Sequence, residues 1–197
     1  MSEFWNQKYA TSDYLYGVEP NVFIKEQLQK LQAGRILFPA EGEGRNAVYA
    51  AQLGWKVLAF DASYQARKKA LKLASAKDVC LDFRLLDYQS AAFEPNSFDA
   101  IGLTFTHLPP PLRSSMHQKY LQWLKPGGTI LLEAFTPDQL NYSSGGPKAP
   151  EMLFTREQLE ADFKEATSIQ LEEKIVTLDE GPGHQGMASV IRCVLKK

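Results

Sequence analysis

The sequence predicts an α/β fold: a mostly parallel β-sheet covered by helices and closed by an antiparallel pair of strands. Three observations predict it. Short apolar runs alternate with helical stretches through most of the chain, which calls for a parallel sheet covered on both faces. Between Arg35 and Ser63 a strand, a glycine turn, a helix, a second strand and an acid follow one another. Finally, Ser168 to Leu178 and Met187 to Leu195 read as long strands joined by Gly181-Pro182-Gly183-His184-Gln185-Gly186. That link is short for a helical crossover, so the two strands should pair antiparallel.

The Arg35–Ser63 stretch organises the rest. Ile36 to Phe38 suits a buried strand. Gly42 and Gly44 allow a sharp turn and a close approach of backbone to ligand. Ala47, Val48, Ala50, Ala51 and Leu53 give a helix with small residues towards a sheet, and Gly54 is placed to end it. Val57 to Phe60 is the next strand, with Asp61 at its carboxyl end. Free N–H groups at the helix start favour a polar or anionic group. A carboxylate at the tip of the second strand can accept from a ribose diol. Gly42-x-Gly44-x-x-Ala47 also fits a dinucleotide fingerprint, so a nucleoside-bearing ligand is expected here.

Bulk properties narrow the class. A chain of 197 residues with 44% hydrophobic and 23% charged residues is an ordinary globular domain, expected to span 1–197 as one unit. A net charge of −1 gives no electrostatic reason to bind nucleic acid or an anionic membrane. No apolar run approaches the roughly 18 residues of a membrane helix. The N-terminus lacks a basic region followed by an apolar core. Cys80 and Cys193 have neither metal-ligand nor redox spacing, so no metal is expected, and a cytoplasmic location is consistent with two unpaired thiols.

Taken in order, residues 1–18 carry Phe4, Trp5, Tyr9, Tyr14 and Tyr16 without a clean period. They read either as an arm packed on the surface or as a flap closing over a ligand, with Tyr16-Gly17 at its edge. Pro20 opens a helix that Ala33-Gly34 closes. Ser63 is a candidate N-cap for a helix to Ala76, whose Arg67, Lys68, Lys69 and Lys72 read as a solvated face. Val79 to Leu86 reads as a strand ending at Asp87-Tyr88, where Asp87 either contacts an adenine or caps the following turn. Phe98 to Leu103 is the fourth strand, running into Thr104-Phe105-Thr106-His107. A helix from Pro109 to Leu124, a sharp turn at Lys125-Pro126-Gly127-Gly128 and a strand from Thr129 to Ala134 follow. Residues 136–150 are rich in Gly, Pro and Ser and read as a possible lid loop, with Tyr142 available to a pocket. Thr155-Arg156-Glu157-Gln158 has capping-box spacing.

These motifs resemble those of class I S-adenosylmethionine-dependent methyltransferases over nearly the whole chain. The resemblance rests on Glu41 to Ala47, Phe60-Asp61-Ala62-Ser63, Asp87-Tyr88, Ser97-Phe98-Asp99 and, most specifically, Leu124 to Gly128. Tyr16 to Pro20, Gly44 to Ala47 and Met152 to Thr155 are similar to the tellurite-resistance-type and thiol-methyltransferase-like branch. The resemblance implies a Rossmann-like three-layer sandwich whose seven-stranded sheet has its last strand inserted antiparallel. It also implies S-adenosyl-L-methionine as cofactor and a small-molecule methyl acceptor, such as a thiol or a metalloid oxyanion, for a monomer or homodimer. By position, Ala40, Glu41, Gly42, Gly44 and Arg45 would lie by the methionine part, Asp61 and Ala62 by the ribose, and Asp87 and Tyr88 by the adenine. Tyr16 would stand at the edge of the site, and Thr104 and Phe105 would border the methyl end. His107, His184 and Tyr142 would stand near the acceptor, the histidines as bases where the acceptor carries a proton. The sequence departs from the family in one motif: Phe38 stands at the usual acid and Ala40 at the usual first glycine. Ala40 permits a close approach if its φ is negative. The other readings are a binding protein that holds the cofactor without chemistry, and a nicotinamide-dependent reductase. Lys125 to Gly128 and the tail strands speak against the reductase.

Overall fold

A computed structural model describes residues 2–197. Strands β1 (Arg35–Pro39), β2 (Lys56–Asp61), β3 (Asp82–Leu85), β4 (Phe98–Thr104), β5 (Leu124–Phe135), β6 (Ser168–Asp179) and β7 (Gln185–Lys196) form one sheet in the order 3-2-1-4-5-7-6. β1 pairs parallel with β2, β2 with β3 and β4 with β5, while β7 lies antiparallel to both β5 and β6. This is the Rossmann-like architecture expected. Helices α1 (Ser2–Lys8), α2 (Val22–Leu28), α3 (Arg45–Gln52), α4 (Tyr64–Ala76), α5 (Pro110–Trp123) and α6 (Arg156–Asp162) flank it. Among the described residues no helix is long and apolar enough to cross a membrane. The chain divides into two compact units, residues 1–92 with 180–183, and residues 93–179 with 184–197.

Local chemistry explains most boundaries. The Ser63 hydroxyl accepts from Ala66 N–H at 3.1 Å and starts α4. Thr155 and Gln158 complete a reciprocal capping box at α6. After α3, the N–H of Gly54 bonds Ala51 O and that of Trp55 bonds Ala50 O, a Schellman ending that the positive φ of Gly54 makes possible.

Three expectations are corrected. α2 stops at Leu28, well before Ala33-Gly34, because Lys30 and Leu31 turn back onto Gln27 O and Leu28 O. The third strand is only Asp82–Leu85, since Val79 N–H instead bonds Ala74 O to close α4. Lys125 to Gly128 lie inside β5 as an irregularity, the register passing from Phe98↔Leu124 to Ala100↔Thr129. Within residues 136–150, the possible lid loop, one cluster of hydrogen bonds stands out. Gln139, 1% exposed, donates to Ser144 Oγ and Gly145 O and accepts from Ser189 N–H, while Ser144 Oγ donates to Met187 O.

Candidate functional site

In the first unit the site grows from the turn after β1. Phe38, where the family carries an acid, is fully buried in the core. Ala40 has φ +47°, so the condition of a negative φ is not met and it sits where an L-residue is strained by about 1–2 kcal/mol. Gly44 caps α3 with φ +90° and no side chain to offer, and a Cβ there would meet that of Ala70 at 2.6 Å. Glu41 supplies the missing cap: its Oε1 accepts from Ala47 N–H at 2.7 Å. Desolvation pushes the Glu41 carboxyl up to about 7, against hydrogen bonds from Ala47 and Asn46 and the charge of Arg45.

Asp61 turns back onto the same turn. Its Oδ2 accepts from Gly42 N–H at 2.9 Å and its Oδ1 from Ser63 N–H at 2.8 Å. Burial raises its pKa, and the N–H groups of Ser63, Gly42 and Ala62 oppose the rise. A carboxylate has about four acceptor sites, so these bonds leave room for a ligand hydroxyl. Asp87 is exposed, and its Oδ1 accepts from both Ser90 N–H and Ser90 Oγ, so it caps its turn. These bonds lower its pKa. Tyr88 beside it packs edge-on to Phe60 at 6.0 Å.

The N-terminal arm is folded onto this turn. Glu43, 4% exposed, accepts from Leu15 N–H at 2.7 Å and from Lys69 Nζ at 2.7 Å, and Lys69 also reaches Asp13 O. Lys69 is therefore a buried partner, which corrects its reading as part of a solvated face. Arg45 is committed too, donating to Glu180 Oε2 at 2.8 Å and to Tyr16 O at 3.2 Å. Gly183 N–H donates to Leu15 O, and the Tyr16 ring lies where a Gly183 side chain would be. Trp5 stacks on Tyr9, and Tyr16 meets Tyr9 edge-on. Tyr9 is 5% exposed, and its hydroxyl stands 2.8 Å from where a Cβ of Gly42 would be.

In the second unit the corresponding place is the end of β4. Phe105 takes φ +50°, held by its N–H on Glu133 O at 2.8 Å. Its ring stacks on Phe135 at 4.4 Å, and His184 meets both rings edge-on, at 4.5 and 5.3 Å. Thr104 and Tyr142 are half-buried. His107 is fixed at both nitrogens: Nδ1 is 2.8 Å from Met152 O, and Nε2 accepts from Phe135 N–H at 3.3 Å. Nδ1 is therefore the protonated nitrogen, and the lone pair a base would use is already engaged. Desolvation lowers the His107 pKa to about 4, despite the bond to Met152. The expected proton-accepting role thus does not suit His107, whose geometry joins β5 to the segment before α6.

Sequence reading missed Glu43, Lys69, Tyr9 and Glu180. It also missed His117, whose Nδ1 is 2.8 Å from Asp162 Oδ2, an oxygen that Arg113 Nε also approaches at 3.1 Å. One signal was available. Lys69 falls, by helical spacing, on the stripe formed by Ala66, Ala70 and Leu73, all buried.

Comparison with known proteins supports the same reading. No curated protein matches the chain in sequence. Residues 36–128 match the methyltransferase domain family. An S-adenosylmethionine-dependent methyltransferase from Methanosarcina mazei shares 19% identity over 90% of this chain and 98% of its own, with TM-score 0.69. TehB from Haemophilus influenzae gives 17% identity and TM-score 0.72 over the whole of this chain and 66% of its own. A chain solved for the conversion of a disulfide bond into a thioacetal group during echinomycin biosynthesis gives 16% identity and TM-score 0.74, over 100% of this chain and 92% of its own. At these identities the likeness is one of fold. Residues 36–128 thus match a methyltransferase domain, which indicates S-adenosylmethionine as cofactor, and the 3-2-1-4-5-7-6 sheet shows the Rossmann-like methyltransferase fold.

Proposed function

We propose that this domain methylates a small, uncharged acceptor with a soft nucleophilic atom, a neutral thiol being the type. The observation that carries the reading is the contrast in polarity between the two strand ends. The turn after β1 is ringed by Glu41, Glu43 and Asp61, and the neighbouring cations Arg45 and Lys69 are each bound to an acid. That setting suits a cationic nucleoside and repels the pyrophosphate of a nicotinamide dinucleotide. The end of β4 is built of Phe105, Phe135, His184 and His107 rings. In the same unit Arg113 and Arg192 are bound to Asp162 and Glu133. An apolar acceptor fits rings better than an oxyanion, which would need a cation to meet it.

When bound, the cofactor supplies a methyl group on a cationic sulfur. Gly42 and Gly44 give its methionine part close backbone approach, beside Ala40, Glu41 and Arg45. Asp61 and Ala62 take the ribose, Asp87 and Tyr88 the adenine, and Tyr16 braces the arm. Thr104 and Phe105 border the methyl end. Alignment and exclusion of water are the main requirements, and a wall of rings serves both, with Tyr142 assigned to the acceptor. A thiol loses its proton as it gains the methyl group, and His184 is the residue assigned to receive it.

The test is methyl transfer from radiolabelled S-adenosylmethionine to a panel of uncharged thiols and of metalloid oxyanions. Calorimetric binding of S-adenosylhomocysteine to the native protein and to Asp61→Ala serves as control. Turnover on uncharged thiols, with binding weakened by Asp61→Ala, is expected. Turnover on oxyanions alone overturns the acceptor assignment. Binding without turnover on any acceptor points to a protein that holds the cofactor without chemistry.

A further inference from the structure

β6 is an edge strand, paired on one side with β7. Its 12 residues run along β7 without a break in register, from Ser168↔Lys196 to Asp179↔Gln185. Which of its backbone groups face outward follows from β7. Lys197 N–H donates to Gly128 O, Lys197 O accepts from Gly127 N–H, and Ser189 O accepts from Thr136 N–H. Odd-numbered residues of β7 therefore turn their backbone groups to β5, and even-numbered ones turn theirs to β6. Through the register, the even-numbered residues of β6 bond to β7. Ile169, Leu171, Glu173, Ile175 and Thr177 then point their N–H and C=O groups away from the sheet. Arg156 Nη2 reaches one of these, Leu171 O, at 3.1 Å, and a carbonyl accepts two bonds.

An open edge of this kind takes up a further strand unless brevity, proline, a bulge or charge prevents it. β6 is long, contains no proline and keeps an unbroken register. It does carry Glu172, Glu173 and Lys174 at its middle, with side chains 62%, 50% and 37% exposed, beside an exposed Ile175. Their order is self-complementary. When two copies of a strand pair antiparallel about a two-fold axis, opposite residues share a face, so the axis passes through one residue. Centred on Glu173, Glu172 lies opposite the second copy's Lys174, and Lys174 opposite its Glu172. On the other face Leu171 lies opposite Ile175, twice. The Glu172–Lys174 pairs fall at the non-hydrogen-bonded positions, where side chains come closest. Moving the axis by one residue sets Glu172 or Lys174 against its own copy, which like charge disfavours. Glu173 does meet its copy at the axis, but Arg156 Nε stands 3.9 Å from its carboxylate. Charges that would turn away a foreign strand thus select one register for an identical one. We propose that β6 is a homodimer interface, pairing antiparallel with β6 of a second copy about an axis at Glu173, so that the sheet continues from one protomer into the other.

The experiment is sedimentation velocity of the full chain from micromolar to near-millimolar concentration, together with residue-resolved amide exchange. A dimer is expected. The amides of Ile169, Leu171, Glu173, Ile175 and Thr177 should gain protection as concentration rises, while those of the even-numbered residues, already bonded to β7, should change little. Glu172→Lys and Lys174→Glu each turn two attractions into two repulsions, and each should weaken the dimer by about 10-fold or more. Combined in one chain, they restore opposite charges across the axis and should bring the affinity back to within about 3-fold of the native value. Circular dichroism confirms the fold of each variant, and the native protein's exchange pattern stands without them. None of these readouts involves cofactor or acceptor, so they are decided apart from methyl transfer. A monomer at every concentration overturns the proposal. So does a dimer that the single substitutions leave intact, that the combined one fails to restore, or that gives the odd-numbered amides no added protection.

Discussion

Ala40 and Phe105 do the same thing to the backbone in two opposite settings. Each follows a parallel strand, and each takes a positive φ, +47° and +50°, that a side chain makes costly. Around Ala40 the neighbours are acids and ion pairs: Glu41, Glu43 with Lys69, and Arg45 with Glu180. Around Phe105 they are rings, Phe135 and His184. The architecture demands that the chain turn sharply where a parallel strand ends. What the turn can hold is decided by the residues placed around it, ionic in one unit and aromatic in the other.

The largest expected effect tests the ionic side. Lys69→Met leaves Glu43 buried without its cation and should destabilise the protein by roughly 3–5 kcal/mol, read by chemical denaturation. Adding Glu43→Leu to that variant should restore much of the loss, because an apolar pair of similar size tolerates burial. A second cost equal to the first would mean that Glu43 matters mainly as the anchor of Leu15 and Tyr16.

Next comes pH, where the two units oppose each other. Glu41 has its folded pKa raised to about 7, so the stability associated with its protonated form is present at low pH and lost as pH rises towards 7. His107 has its folded pKa lowered to about 4, so stability is lost as pH falls from about 6.5 towards 4. Each shift corresponds to a contribution on the order of 3 kcal/mol. Between pH 5 and 6.5 the two slopes offset one another. Glu41→Gln should therefore make stability rise more steeply with pH in that window, and His107→Gln should make it fall. Unfolding free energies at several pH values decide the matter, and parallel curves for all three proteins would refute both assignments.

A smaller effect concerns the strained turn itself. Ala40→Gly should relieve the left-handed strain and stabilise by up to about 1 kcal/mol, the relief being partly offset by the greater freedom of glycine in the unfolded chain. A loss of stability would show that the Ala40 methyl group packs usefully. The smallest effect is an expected absence of change. With an acceptor in hand, His107→Gln should leave the pH–rate profile between about 6.5 and 8 unshifted, because a ring with both nitrogens engaged gains no proton there. A displaced inflection would return His107 to the chemistry.

Much of the fold was legible because it depends on local patterns. Alternating strands and helices, the Ser63 and Thr155 caps, the Gly54 ending and the tail pairing each follow from residues adjacent in sequence. Boundaries failed where a helix-closing bond outcompeted the strand signal, as when Val79 turned back to Ala74. The site was legible in its backbone, the glycine turn and Asp61, and poorly legible in its side chains. Nothing near Lys69 in sequence says that Glu43 waits for it, and nothing near Arg45 announces Glu180, 135 residues away.

The sequence by itself determined the order of strands and helices, the place of the glycine turn and the antiparallel tail, because periodicity and turn chemistry act over a few residues. The tertiary structure decided which charges are paired, that both nitrogens of His107 are engaged, that Ala40 is left-handed, and that the N-terminal arm lies on the turn. Those outcomes depend on desolvation and on partners brought together by folding, and no short stretch of chain encodes either.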